Sequence, residues 1–153
     1  MYMPSENQKP LPSHFEGPDE SPGFLLWRVS NSWQREQRNA LQPLRLTHTQ
    51  FVVLAVASWF QEKELLTQAR LSQLTGSDAM TISQVVRALE KSGYIQRVSH
   101  PDDTRAKVIE VSEAGKALAK RAVQVVEKTD KDFFMALDDN GQSLITLFRK
   151  LIS

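Results

Sequence analysis

The side chains best suited to contact a ligand lie along one face of the segment from Ser77 to Lys91. Ser77, Thr81, Gln84, Arg87 and Lys91 recur every three or four residues, a spacing that places them on one side of a helix. Hydroxyl, amide and guanidinium groups can form hydrogen bonds with the edges of DNA bases, and cations can contact phosphates. The spacing therefore predicts a helix face that could enter a groove of DNA.

The opposite face of this segment is apolar and predicts how the helix is held. We expect Ser77 to cap it, Asp78 to favour its positive end and Ser92-Gly93 to stop it. These signals predict a helix from Asp78 to Ser92. Its apolar positions fall within an arc of about 120°: Ala79, Ile82, Val85, Val86 and Leu89.

A second, shorter helix is predicted just upstream. Thr67 can cap it, and Thr75-Gly76-Ser77 forms a tight turn into the next helix. Two helices joined by a short turn that contains glycine are typical of a helix-turn-helix. Many helical hairpins share this pattern, so the pair alone leaves open an amphipathic helix whose polar side is merely solvated.

The segment that follows predicts a β-hairpin. The β-favouring runs Tyr94–Val98 and Val108–Val111 flank a loop rich in turn-forming residues. A hairpin attached to a helix-turn-helix is called a wing. An arginine at its tip can enter the narrow minor groove, where the negative potential is enhanced. We expect Arg105 to act in this way, with the Asp103 carboxylate fixing its guanidinium and Lys107 as a neighbouring cation.

The same residues carry a family resemblance. The run Asp103-Thr104-Arg105-Ala106-Lys107, followed by the segment Val111–Leu118, resembles the signature of the MarR family of bacterial transcriptional regulators. In that family a D-x-R wing precedes L-T-x-x-G, and this chain has Val-Ser in place of Leu-Thr. The stretch Leu46–Leu54 is similar to the family's L-T-x-x-Q opening, and its Thr47 and Gln50 also form a capping box on physical grounds.

The resemblance extends from Phe24 to Ser153 and implies a mainly α fold with a small β-hairpin wing, in the α+β class. We expect a flexible, proline-rich arm at residues 1–20 and one MarR-like domain at 21–153. Within that domain, residues 47–111 form the winged helix-turn-helix lobe, and the N- and C-terminal dimerisation helices occupy 22–42 and 112–153.

The terminal helices predict an oligomer. Ser21-Pro22 opens the first helix, Ser112 caps a long one, and Asp138–Gly141 makes the turn into the last. Their apolar stripes are numerous for so small a domain. The preferred interpretation is a homodimer in which the first and last helices pair with a symmetry mate, an architecture that the resemblance also implies. The alternative is that these stripes pack within one chain.

Charge alone does not indicate a DNA-binding protein, because the net charge is +1. Residues 1–20 hold one cation and four anions, so the remainder carries 18 Lys and Arg against 14 Asp and Glu. Affinity for phosphate must therefore come from a local patch. Its candidate cations are Arg87, Lys91, Arg97, Arg105 and Lys107, with Asp78, Glu90, Asp102 and Asp103 close by.

The residues offer little support for catalysis. The chain has no cysteine, which excludes thiolate nucleophiles and the cysteine-based redox sensing that some members of the resembled family use. His14, His48 and His100 are isolated, and none has a second metal ligand at the spacing of a zinc site. We expect no enzyme activity, no metal and no cofactor. Without a signal peptide or a long apolar segment, a cytoplasmic protein is the simplest expectation.

A small ligand is implied by the resemblance alone, since MarR-like proteins often release DNA when an aromatic or phenolic acid binds between the dimerisation helices and the DNA-binding lobe. The candidate wall residues are Phe24, Trp27, Arg28, His48 and Phe51, which could stack an aromatic ring and meet a carboxylate. The alternative is that they are ordinary core and surface residues.

The predicted function is a sequence-specific, homodimeric repressor that binds double-stranded DNA at a pseudo-palindromic operator and is released by a small aromatic effector. The alternative is a winged-helix module that uses the same surface for protein–protein interaction without specific DNA binding. A third hypothesis is a protein that binds only the effector. Steep salt dependence of duplex binding would favour the first.

Overall fold

The chain forms two compact units, one that ends at Arg35 and one from Glu36 to Ser153. A computed structural model describes residues 9–153. Most of the predicted arm's first half, residues 1–8, lies outside the described residues, and its flexibility stays a prediction. None of the helices found in residues 9–153 combines the length and the apolar character that crossing a membrane requires.

The first unit contains the start of helix α1, Pro22–Leu41. Its first turn is held as the sequence predicts, because the Phe24 amide donates to Ser21 Oγ at 3.2 Å. A short 3-10 helix, Pro18–Glu20, precedes it. Several apolar side chains of this unit are exposed, among them Leu25, Leu26 and Val29.

The second unit is mainly helical with one two-stranded hairpin, which confirms the predicted fold class. After the end of α1, its α-helices and strands are α2 His48–Phe60, α3 Gln68–Thr75, α4 Ala79–Lys91, β1 Ile95–Ser99, β2 Lys107–Val111, α5 Glu113–Phe134 and α6 Gly141–Ile152. The order of α2 to β2 is that of a winged helix-turn-helix.

Local hydrogen bonds fix the starts of three helices where the sequence predicts them. At α2, the Gln50 amide donates to Thr47 Oγ1 at 3.1 Å, and the Thr47 amide donates to Gln50 Oε1 at 3.0 Å, so the capping box is complete. Thr67 caps α3 and Ser112 caps α5, each through its hydroxyl. These caps satisfy amides that the helix itself leaves without partners.

The start of α4 differs from the prediction by one residue. Asp78, and not Ser77, is the N-cap: its Oδ1 accepts from the Thr81 amide at 2.7 Å. Ser77 belongs to the turn, where its amide donates to Thr75 Oγ1 at 3.2 Å. Gly76 adopts φ of 76° in this turn, a conformation that favours glycine.

The hairpin pairs β1 with β2 in antiparallel register, with Ile95 opposite Val111 and Val98 opposite Val108. Each strand is shifted or extended by about one residue from its predicted range. The Ile109 amide donates to Leu66 O at 2.7 Å, which ties β2 to the segment before α3. Strand β2 is therefore attached by its backbone to the rest of the second unit.

The core of the second unit lies between α2, α4, α5 and the hairpin. It is built from the apolar faces that the periodicity predicts, including Ile82, Val86 and Leu89 of α4. In contrast, none of the α6 residues is buried, although Ile145, Leu147, Phe148, Leu151 and Ile152 are all large and apolar.

Candidate nucleic-acid interface

The predicted polar face of α4 is present on the protein surface. Gln84, Arg87 and Lys91 are exposed, whereas Ser77 and Thr81 are half-buried. Within residues 9–153, Gln84 and Arg87 have no side-chain hydrogen bond or ion pair. Their donors and acceptors are therefore available to a ligand without breaking contacts inside the protein.

Thr81 is more constrained than its neighbours on this face. Its hydroxyl donates to Asp78 Oδ2 at 3.1 Å, so the Thr81 oxygen is left to act as an acceptor. The hydrogen bond from the Thr81 backbone amide, followed by the bond from its hydroxyl, lowers the pKa of Asp78. Asp78 therefore places a carboxylate charge at the beginning of α4.

One of the five predicted phosphate-binding cations is occupied within the protein. Arg97 Nε and Nη2 donate to the two carboxylate oxygens of Glu90, each at 3.1 Å. This hydrogen bonding lowers the pKa of Glu90 and raises that of Arg97. Arg97 is therefore used to hold β1 against α4, which removes it from the free cationic patch expected from the sequence.

The wing tip is held by hydrogen bonds from its own backbone amides. The Asp103 carboxylate accepts from the Arg105 amide at 3.0 Å, and the Asp103 carbonyl accepts from the Ala106 amide at 3.1 Å. The His100 ring also contributes, because its Nδ1 accepts from the Asp102 amide at 3.0 Å. These bonds form the compact turn that carries Arg105.

The expected role of Asp103 needs a correction. Its carboxylate accepts from the backbone amide of Arg105 and does not hold the guanidinium. An aspartate side chain readily accepts from the amide two residues ahead in a turn, and here that local bond forms instead of the ion pair. In the described part of the chain, the Arg105 guanidinium is in no ion pair. Arg105 and Lys107 are both exposed on the wing.

The candidate effector residues fall into two groups, one in each unit. In the first unit, the rings of Phe24 and Trp27 lie 6.2 Å apart at 31°, and Arg28 is exposed. In the second, the rings of His48 and Phe51 lie 5.9 Å apart at 49°. Phe51 is only 7% exposed and belongs to the core, whereas His48 is half-buried.

His48 is the candidate whose titration is most affected by its surroundings. Burial lowers the pKa of His48, while the charge of Asp130 opposes that shift. A neutral imidazole at this position can act as both a donor and an acceptor.

Comparison with known proteins identifies the family. The model of the MarR family matches residues 46–107. The HTH-type transcriptional regulator YdcH of Bacillus subtilis is 42% identical over 81% of this chain and 85% of its own. This chain belongs to the MarR family. Its members are transcriptional regulators, so the winged helix-turn-helix described above is that of a MarR-family regulator.

Two further proteins are similar to this chain, one in sequence and one in fold. The HTH-type transcriptional repressor Rv2887 of Mycobacterium tuberculosis is 34% identical over 73% of this chain and 79% of its own. Bordetella bronchiseptica BpsR, solved in a study of how 6-hydroxynicotinic acid regulates its DNA binding, has a TM-score of 0.81 at 24% identity. That alignment covers 93% of this chain and 98% of BpsR, which shows a shared fold.

One buried polar residue of this MarR-family chain was not predicted from the sequence. Gln37 is fully buried, and its Nε2 donates to Asp130 Oδ1 at 2.8 Å and to Val126 O at 3.3 Å. The Gln37 amide thereby joins the end of α1 to α5. Its position one helical turn before the buried Leu41 was the signal available, since residues four apart share a helix face.

Proposed function

We propose that this MarR-family protein is a homodimeric repressor that reads a pseudo-palindromic operator. In this proposal α4 enters the major groove and the wing reaches the adjacent minor groove. The main support for this proposal is that Gln84 and Arg87 are exposed on the polar face of α4. Among the described residues, their side chains form no hydrogen bond or ion pair, and the exposed Arg105 forms no ion pair.

The chemistry of each side chain assigns it a contact. The Gln84 amide can pair bidentately with adenine, and the Arg87 guanidinium can pair with guanine or contact phosphate. Ser77 and Thr81 supply hydroxyl groups at the start of α4, and Lys91 adds a cation at its end. A good bidentate pair discriminates against the wrong base by about 1–3 kcal/mol.

Uncovered apolar surface supports the dimer. Helix α6 has no buried residue, and Leu147 and Phe148 are both exposed in the single chain. A groove of about 510 Å³ between α5 and α6, lined by Phe134, Ile145 and Phe148 among others, continues this surface. Large exposed apolar patches mark association sites. A two-fold dimer would place two α4 helices about 34 Å apart, one turn of DNA.

Repression and effector release are part of the same proposal. Rv2887 is named a repressor, and the DNA binding of BpsR is regulated by an aromatic acid. We infer an aromatic acid as effector, with Phe24, Trp27, Arg28, His48 and Phe51 as the residues to test. With 6-hydroxynicotinic acid as the first probe of a panel, binding should raise Tm and lower DNA affinity. His48→Ala should remove both effects, and Trp59→Ala, at an exposed indole of α2, should not.

The deciding experiment is a binding titration on duplexes selected from a random DNA pool. We expect affinity to fall steeply with salt and the selected site to be a pseudo-palindrome. Gln84→Ala should weaken binding to the selected site more than binding to unrelated duplexes. Equal losses on every sequence would contradict base reading by Gln84, and the absence of duplex binding even at low salt would refute the proposed function.

A further inference from the structure

The side chain of Met80 is largely exposed to solvent, although it is apolar. It is the second residue of α4 and is 72% exposed, more than any other large apolar side chain in residues 36–150. On the apolar face of α4, in contrast, Ile82 and Val86 are fully inaccessible. Met80 therefore lies outside the core, and the buried residues of α4 hold the helix in place without it.

The position of Met80 on α4 coincides with the polar face. At about 100° per residue, Met80 and the exposed Gln84, Arg87 and Lys91 fall within an arc of about 60°. Met80 is the N-terminal member of this line. In a helix-turn-helix, the N-terminal residues of the recognition helix are those that contact base edges.

We propose that Met80 contacts the C5-methyl group of a thymine in each operator half-site and thereby selects thymine at that position. This inference rests on the proposed function, because it requires α4 to lie in the major groove. Thymine alone presents a methyl group there, whereas the other edges present only hydrogen-bonding atoms. The unbranched thioether of methionine adapts well to such an apolar contact.

The neighbouring residues favour a base over a phosphate as the partner of Met80. The Asp78 carboxylate at the beginning of α4 repels phosphate, and the Thr81 hydroxyl is already bonded to it. Met80 itself offers no donor. The contact that the Met80 side chain can add is therefore apolar, and removal of the thymine methyl group should reduce affinity about fourfold.

The test replaces thymine by deoxyuridine, which removes the C5-methyl group and leaves base pairing unchanged. Each thymine of the selected operator duplex is replaced in turn, and Kd is measured for the wild type, Met80→Ala and Met80→Leu. For the wild type we expect one thymine per half-site whose replacement weakens binding about fourfold, and about sixteenfold when both half-sites are changed. Met80→Ala should lose this sensitivity, and Met80→Leu should keep most of it.

The controls separate this inference from the proposed function. Met135→Ala changes another exposed methionine and should keep the sensitivity to deoxyuridine. An unchanged Tm of Met80→Ala would show that the fold is intact. If the wild type binds tightly and selectively but no deoxyuridine replacement changes its Kd, only the role of Met80 is overturned. The same holds if the replacements change the Kd of Met80→Ala as much as that of the wild type. A wild type that binds no duplex would overturn both.

Discussion

Two arginines of the wing differ in their side-chain contacts. Arg97 is bound bidentately by Glu90, whereas the Arg105 guanidinium has no ion pair within the described residues. Arg105→Ala should therefore weaken operator binding by roughly 1–3 kcal/mol, on the order of 5- to 150-fold. Arg97→Ala should change Kd little, because the Arg97 guanidinium is already bonded to Glu90. Undiminished affinity of Arg105→Ala at physiological salt would refute the role of the wing.

Asp103 contacts Arg105 through a hydrogen bond to the Arg105 backbone amide. The effect of this hydrogen bond can be separated from the effect of the Asp103 charge. Asp103→Asn and Asp103→Ala both remove the carboxylate, but only asparagine retains an oxygen that can accept from the Arg105 amide. We expect the alanine variant to bind the operator more weakly than the asparagine variant by about 1 kcal/mol, on the order of fivefold. Equal affinities in a fluorescence titration would show that the turn does not position Arg105.

At the scale of elements, the start of α4 depends on one cap. Asp78→Ala should lower the midpoint of urea unfolding more than Ser77→Ala, because Asp78 and not Ser77 accepts the amide of the first turn. Asp78→Asn should recover most of the loss. Since the pKa of Asp78 is lowered, its stabilising contribution is present above its ordinary pKa and is lost as pH falls through the lowered value. A larger effect of Ser77→Ala would contradict the cap assignment.

The junction between the hairpin and α5 depends on a close approach at Gly115. A Cβ placed there would lie 2.1 Å from the carbonyl oxygen of Tyr94. Gly115→Ala should therefore reduce the free energy of unfolding by about 3 kcal/mol, measured by urea denaturation. Gly23→Ala is the matched control in a first helical turn, since a Cβ there meets no atom within 4 Å. Similar stabilities of the two variants would contradict the tight packing.

At the scale of the whole molecule, the proposed dimer depends on the apolar face of α6. Phe148→Asp should convert the dimer to a monomer in sedimentation velocity and weaken operator binding, because a charge would be placed in the interface. Leu65→Asp, at an exposed leucine before α3, should leave the dimer intact. A Phe148→Asp protein that remains dimeric would show that association uses another surface.

The stability of the molecule should respond to mild acid through His48. Burial lowers the pKa of His48 below 6.5, so below that pH the unfolded chain binds the proton more readily than the folded one. The free energy of unfolding should therefore fall as pH decreases from about 6.5 to the lowered pKa, and Asp130 should limit the effect. His48→Gln should flatten this dependence in urea titrations between pH 7 and 5. A wild-type profile that is flat there would contradict it.

Much of the second unit follows from short-range patterns. The caps at Thr47, Thr67 and Ser112, and the apolar stripe of α4, depend on residues three or four apart, which a helix brings together in any context. The hairpin likewise follows from two β-favouring runs and the turn between them. These contacts are local, so residue types and spacing are sufficient to predict them.

Other features depend on which of several possible contacts forms when the elements pack together. Adjacent Ser77 and Asp78 can both cap a helix, and contacts of Ser77 within the α3–α4 turn leave Asp78 as the cap. The pairing of Arg97 with Glu90 requires β1 to lie against α4, and the contact of Gln37 with Asp130 joins residues 93 positions apart. The sequence alone could therefore predict which groups are candidates to contact DNA, but only the tertiary structure decided which of them are free, because a contact between packed elements uses one of the same donors, that of Arg97.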